Sequence, residues 1–141
     1  MMGNFSELKM VVWKNNMAKI LIIDDDRQTT TLLEMLLSAR GYETYSVNDS
    51  STAIQVAKET NPDLILLDLM MPDPDGFKVC RMLRADATFT FTPIIIITAL
   101  DDTDSRIVAY GAGADDYIIK PYDIDELAET VKSFLREGIE G

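Results

Sequence analysis

Lys19-Ile20-Leu21-Ile22-Ile23-Asp24-Asp25-Asp26 is a short apolar run that stops abruptly at carboxylates. The pattern returns at Leu64-Ile65-Leu66-Leu67-Asp68, and related runs stop at Thr98, after Ile94-Ile95-Ile96-Ile97, and at Lys120, after Tyr117-Ile118-Ile119. Such runs are too short for helices and too continuous for strands with one wet face, so they predict strands buried on both faces. Strands of one parallel sheet end along a common edge, the edge where ligands bind. Asp24, Asp25, Asp68, Thr98 and Lys120 are thereby expected side by side, although nearly a hundred residues separate the first from the last.

The intervening segments read as helices. Residues 27–40 carry Leu32, Leu33, Leu36 and Leu37 on an inward stripe, closed by Gly41. A short strand over 42–47 follows. Asn48, Asp49 and Ser50 offer N-caps for a helix with Ala53, Ile54 and Ala57 on one face, ending before Asn61-Pro62. After a third strand over 63–67, Met71-Pro72-Asp73-Pro74-Asp75-Gly76 is turn chemistry, leading to a helix over about 77–84 that pairs Val79 with Leu83. Pro93 opens the fourth strand, and Asp101, Asp102 and Asp104 mark the N-terminus of a weaker helix over 104–110. A fifth strand over 116–119 precedes a last helix from Ile124, with Leu127, Val131, Phe134 and Leu135 on one face. Five strands alternating with five helices predict a doubly wound α/β domain with a parallel sheet covered on both sides.

At 141 residues, with 47% hydrophobic and 26% charged, the chain fits one domain, expected over 18–141. Residues 1–17 show no sustained period; they read either as a helical or disordered extension, or as a start-site artefact with translation beginning at Met17. There is no long linker, repeat or low-complexity tract, so one unit without an appended output domain is expected. The 13 basic against 24 acidic residues give a net charge of -11 with no Lys/Arg cluster, which argues against direct nucleic-acid or membrane binding. Cys80 is the single cysteine, so no internal disulfide can form and a cytoplasmic location is expected. Cys80 and the eight methionines read as core or half-buried packing. No run approaches the length of a membrane span. The chain has no histidine, which removes the commonest general base and leaves carboxylates, Lys, Thr or a metal to do any chemistry.

Carboxylates gathered at one sheet edge repel each other: unit charges about 4 Å apart do so by roughly 4 kcal/mol at an effective dielectric near 20. A divalent cation relieves this, and Mg²⁺ suits an oxygen-only site with few protein ligands. With the pocket neutralised, an Asp carboxylate can attack phosphorus to give an aspartyl phosphate, with Lys120 and Thr98 contacting the phosphoryl oxygens.

Taken together, Ile-Leu-Ile-Ile-Asp24-Asp25-Asp26, Leu-Leu-Asp68-Leu-Met-Met-Pro72-Asp-Pro-Asp-Gly76, Ile-Ile-Thr98-Ala99 and Gly-Ala-Asp-Asp-Tyr117-Ile-Ile-Lys120-Pro121-Tyr122 resemble the response-regulator receiver domain, over about residues 18–138. The resemblance implies a flavodoxin-like sheet of strand order 2-1-3-4-5. It implies Asp68 as phosphoacceptor, Asp25 and Asp68 as direct Mg²⁺ ligands, Asp24 acting through a metal-bound water, and the Met70 backbone carbonyl as a further ligand. Thr98 and Lys120 match the phosphoryl-contacting pair, and Tyr117 the aromatic whose inward rotation accompanies movement of Thr98. Tyr122 stands where Phe is usual. Met70 and Leu100 occupy the positions that tune hydrolysis of the aspartyl phosphate, and both are apolar.

The function so implied is a phosphorylation-dependent signalling switch, not an enzyme in the ordinary sense. A histidine kinase or phosphotransfer protein would be the donor, and a downstream target protein would read the surface of the fourth helix, fifth strand and fifth helix. The chain would be a monomer or a phosphorylation-dependent dimer. Two alternatives remain: a receiver used only for docking, and a haloacid-dehalogenase-type Mg²⁺-dependent phosphohydrolase. The latter places its nucleophile after the first strand with a second Asp two residues on, as Asp24 and Asp26 would be. That reading leaves the Asp68 segment unexplained and lacks a further acidic metal motif after the lysine.

Overall fold

A computed structural model of the protein describes residues 17–140. Five strands, β1 (Lys19–Ile23), β2 (Glu43–Val47), β3 (Leu64–Leu67), β4 (Ile94–Thr98) and β5 (Asp116–Ile119), form one sheet in the order β2-β1-β3-β4-β5. Every pairing is parallel, in register from Ile23 beside Val47 and Leu67 to Thr98 beside Ile119. The α-helices among the described residues are α1 (Arg27–Ser38), α2 (Ala53–Thr60), α3 (Gly76–Ala85), α4 (Thr103–Gly111) and α5 (Ile124–Glu140). The expected α/β architecture and strand order are both present.

The continuous apolar strands serve two cores at once because successive side chains point to opposite faces. Leu21, Ile23, Ile65, Leu67, Ile94 and Ile96 pack with Ala53 and Ala57 of α2, Val79 and Leu83 of α3, and Ala109 of α4. Ile20, Ile22, Leu64, Leu66, Ile95 and Ile97 pack with Leu33 and Leu37 of α1 and Leu127 and Val131 of α5. Each fully buried Leu or Ile contributes about 1.5–3 kcal/mol, which holds the three central strands in a fixed frame for the loops at their ends. Strand β2 lies at the edge, and four of its five residues are only half-buried.

Local signals act much as read. Gly41 (φ 96°) closes α1, and Asn61 (φ 48°) closes α2 with its backbone N–H donating to the Ala57 carbonyl. Asp75 caps α3 by accepting from the Lys78 N–H, and Asp102 caps α4 through the Ser105 N–H. Between β2 and α2, Asp49 accepts from the Ser51 N–H and starts a 3₁₀ turn, Ser50–Thr52. Asn48 and Ser50, the other cap candidates, spend their side chains elsewhere.

Three expectations need correction. The buried stripe of α1 is Thr30, Leu33 and Leu37; Leu36 is half-buried and Leu32 is 52% exposed. Residues i, i+3 and i+7 stack on one helix face, and a shift of one position turns a side chain about 100° away from it. The methionines are not uniformly packed, since Met71 is buried while Met35, Met70 and Met82 are exposed. Strand β2 begins at Glu43, one residue later than read, and α3 begins at Gly76, one earlier. The reading of residues 1–17 as an extension or artefact falls, except for Met17, outside the described residues. Among the described residues no helix is long and apolar enough to cross a membrane.

Candidate functional site

The chain leaves β1 to one side to build β2 and returns on the other side as β3, so the sheet reverses its winding between β1 and β3. Loops at the carboxyl ends of such neighbouring strands diverge and leave a crevice. Asp24 and Asp25 follow β1 there, and Asp68 follows β3. Backbone hydrogen bonds carry the ladder into the site: the Asp24 N–H donates to the Val47 carbonyl and the Asp68 N–H to the Ile23 carbonyl, both at 3.0 Å.

Asp24 and Asp68 are buried, at 4% and 6% exposure, while Asp25 is exposed. One carboxylate oxygen from each lies within 4.8 Å of the others. Two oxygens coordinated at about 2.1 Å to one Mg²⁺ stand up to about 4.2 Å apart, so this all-oxygen set has nearly the required dimensions. The acidic pocket is consistent with Mg²⁺ binding.

Lys120 reaches the pocket from the end of β5, where its N–H donates to the Thr98 carbonyl at 2.8 Å. Its Nζ donates to Asp24 Oδ2 at 2.8 Å and to Asp68 Oδ2 at 3.3 Å. The remaining oxygens are also engaged: Asp24 Oδ1 accepts from the Asp26 N–H at 2.9 Å, and Asp68 Oδ1 from the Met70 N–H at 3.2 Å. Burial pushes the Asp24 carboxyl above the usual carboxylate range, against the pull of Lys120 and the Asp26 N–H, and the Asp68 charge adds to the rise. For Lys120, burial opposes the charged form, but the hydrogen bond to Asp24 and the charges of Asp68 and Asp24 outweigh it and raise its pKa. The amine is thus held as an ammonium between two carboxylates.

Asp26 takes no part in the cluster. It stands at the N-cap position of α1, where its carboxylate accepts from the Thr29 hydroxyl at 2.5 Å. Thr98, fully buried at the end of β4, has its hydroxyl oxygen 3.4 Å from the Leu100 N–H. Tyr117 is turned inward, 6% exposed, and its hydroxyl donates to the Leu100 carbonyl at 2.7 Å. The guanidinium of Arg106 on α4 lies 4.7 Å from the centre of the Tyr117 ring, a cation–π contact absent from the sequence reading. Met70 follows Asp68 by two residues with its side chain 54% exposed. The structure brings Asp24, Asp25, Asp68 and Lys120 together, while Thr98 and Tyr117 meet at the Leu100 backbone beside them, Tyr117 from within β5, paired with Ile96.

Three further residues shape the pocket. Gly76, at the start of α3, lies so close to the acceptor loop that a Cβ there would stand 2.1 Å from the Asp68 carbonyl oxygen and 2.5 Å from the Leu69 Cα. Asn48 Nδ2 donates to the Asp24 carbonyl at 2.9 Å and to the Thr30 hydroxyl oxygen at 3.0 Å. The Ser50 hydroxyl donates to the Pro72 carbonyl at 3.0 Å.

Residues 20–132 match the family model of the response regulator receiver domain. The chain is 41% identical over 120 residues to the DNA-binding response regulator MtrA of Mycolicibacterium smegmatis, covering 85% of this chain and 51% of that protein. It is 40% identical over 120 residues to the DNA-binding dual master transcriptional regulator RpaA of a Synechocystis strain, covering 85% and 50%. The chain thus spans about half the length of the curated relatives it matches. Among solved structures, the BeF3-activated N-terminal receiver domain of Klebsiella pneumoniae RstA superposes with a TM-score of 0.78 at 32% identity, covering 84% of this chain and 98% of that one. A CheY-like receiver domain protein from Methanospirillum hungatei gives 0.82 at 26% identity, covering 89% and 99%. These relatives correct the expectation that nucleic acid has no place among the partners. MtrA and RpaA are named as DNA-binding, and the net charge of a chain matching half of such a protein does not report on the other half.

Proposed function

Because this chain belongs to the response regulator receiver domain family, we propose that it is switched by transfer of a phosphoryl group to Asp68 and that Asp24, Asp25, Thr98, Lys120 and Tyr117 serve that transfer and its readout. The observation carrying this reading is the convergence of three carboxylates within 4.8 Å under the Lys120 ammonium.

Asp25 and Asp68 would hold Mg²⁺ directly, with the Met70 carbonyl as a further donor and Asp24 supporting through water. The ion, when bound, supplies positive charge that lets an anionic phosphoryl group approach an anionic carboxylate. An Asp68 carboxylate oxygen then forms the new bond to phosphorus while the bond from phosphorus to the donor's histidine nitrogen breaks, in line with the attack. Lys120 holds one phosphoryl oxygen as a point charge, exchanging its contact with Asp68 for the incoming anion. The Thr98 hydroxyl donates to another. Drawing Thr98 toward the phosphoryl group moves the chain at Leu100, whose carbonyl holds the Tyr117 hydroxyl, so the inward position of Tyr117 is coupled to the site through one hydrogen bond. These residues contain no histidine, so the phosphoryl donor is a histidine outside this sequence, carried by a histidine kinase or phosphotransfer protein. The DNA-binding relatives support a readout in which the state of Asp68 governs a DNA-binding output part.

Labelling the protein with acetyl phosphate and Mg²⁺, followed by mass-spectrometric mapping, tests the assignment. Modification at Asp68, abolished in Asp68→Asn, is expected. Modification at Asp24 would overturn it in favour of phosphohydrolase chemistry.

A further inference from the structure

Of the three residues that follow the edge strand, Asn48, Asp49 and Ser50, Asn48 reaches the Asp24 loop and Ser50 the Asp68 loop, although neither side chain touches the site carboxylates or Lys120. Asn48 uses its two amide hydrogens on the start of the β1–α1 loop and on the first turn of α1. One goes to the Asp24 carbonyl, and the other goes to the Thr30 hydroxyl oxygen, whose own hydrogen is donated to the Arg27 carbonyl at 3.1 Å. Asp25 and Asp26 lie between these anchor points. Ser50, 7% exposed, donates to the Pro72 carbonyl, four residues beyond Asp68 in the β3–α3 loop. Asp49 caps the 3₁₀ turn that keeps Asn48 and Ser50 at a fixed spacing.

We propose that Asn48 and Ser50 are positioning residues for the cation site, tying the Asp24–Asp25 loop and the Asp68–Met70 loop to a common third loop so that the carboxylates stay at binding distance before the cation arrives. Facing carboxylates tend to push these loops apart. A clamp built from neutral donors on backbone carbonyls resists that separation without adding a charge that would compete with the cation for the carboxylates. Lys120 also draws the carboxylates together, but does so by occupying the oxygens a cation needs. Groups that orient ligands from outside the coordination sphere typically change metal affinity by about 10–100-fold when removed.

The inference rests on the cation site proposed above, and the test separates the two. Asn48→Ala, Ser50→Ala and the double variant of the full chain are compared with the parent by calorimetric Mg²⁺ titration, by thermal melting in chelator, and by acetyl phosphate labelling across Mg²⁺ concentrations. The expected result is a Mg²⁺ Kd weakened by about tenfold in each single variant and further in the double variant. Melting in chelator should stay within about 5 °C of the parent, and labelling rates should recover when Mg²⁺ is raised to saturation. Parent-like Kd values in folded variants overturn the inference, as does a labelling defect that saturating Mg²⁺ does not recover. If one single variant fails to fold, the other decides the matter by the same criteria. A parent that binds no Mg²⁺ overturns the cation site itself, and this inference with it.

Discussion

Replacing Gly76 with alanine adds one methyl group at a point where the structure has no room for it. The new Cβ would lie 2.1 Å from the Asp68 carbonyl oxygen, against a practical minimum of 3.0 Å, so helix α3 and the acceptor loop must separate by about 0.9 Å. The opposing atoms are backbone, which no rotamer change can move aside. Overpacking of this kind costs about 1–3 kcal/mol. With an unfolding entropy of roughly 2.1 cal/mol/K per residue, a chain of this size loses about 3–10 °C in melting temperature. The displaced segment carries the proposed nucleophile, and a 1 Å error in placing a reacting group can slow a reaction by about 100-fold. Differential scanning calorimetry and acetyl phosphate labelling at 20 °C, well below the melting transition, measure the two effects separately. A Gly76→Ala protein with a parent-like melting temperature and a parent-like labelling rate would refute the steric argument; a stability loss alone would refute the link between α3 and the reactivity of Asp68.

Lys120→Met removes an ammonium that shares Asp24 and Asp68 with any cation. A unit charge about 3 Å away is worth ~1.4 kcal/mol even at the dielectric of water, so Mg²⁺ should bind roughly tenfold more tightly while acetyl phosphate labelling slows; weaker Mg²⁺ binding by calorimetry would count against the shared-carboxylate geometry. Exchanging apolar Met70 and Leu100 for Asn and Gln should shorten the lifetime of the aspartyl phosphate by on the order of tenfold, since each can then orient an attacking water; an unchanged or longer half-life after removal of the donor sinks the idea. Asp86 is held well below the usual carboxylate range, at about 2, by the Thr88 N–H and then by Lys58. A depressed carboxyl stabilises the fold above its unfolded pKa near 3.8 and loses that contribution as pH falls through about 2, so the stability gap between parent and Asp86→Ala should be constant above pH 5 and close between pH 4 and 2 in urea titrations. A gap that widens with acid would contradict the assignment.

The residues that carry charge at the strand ends were legible because burial on both faces leaves an unbroken apolar word in the sequence, and its last letter marks the sheet edge. Strand β5 starts and stops at Asp116 and Ile119 as read. Strand order is different in kind: nothing in the periodicity of Glu43–Val47 says it pairs outside β1, and that placement came from resemblance to a family. Leu32 misled because three apolar neighbours blur a helical stripe, and only packing against the sheet selects which of them turns inward. Asn48 and Ser50 looked like caps because their residue types favour caps and local turns, and the competing long-range acceptors, Asp24 and Pro72, are more than twenty residues away. Gly76 read as an ordinary turn glycine. Its constraint is a close approach to a residue eight positions earlier, which exists only once the β3–α3 loop is folded.

The Lys120 to Asp24 contact joins positions 96 residues apart. During translation the ribosome delivers Asp24 and Asp68 well before β5, so an unfinished chain carries the acidic cluster without its ammonium and without the strand that presents it. A chain cut short before its fifth strand therefore lacks the Lys120 ammonium, and under the proposed assignment it cannot present the complete site to a phosphoryl donor.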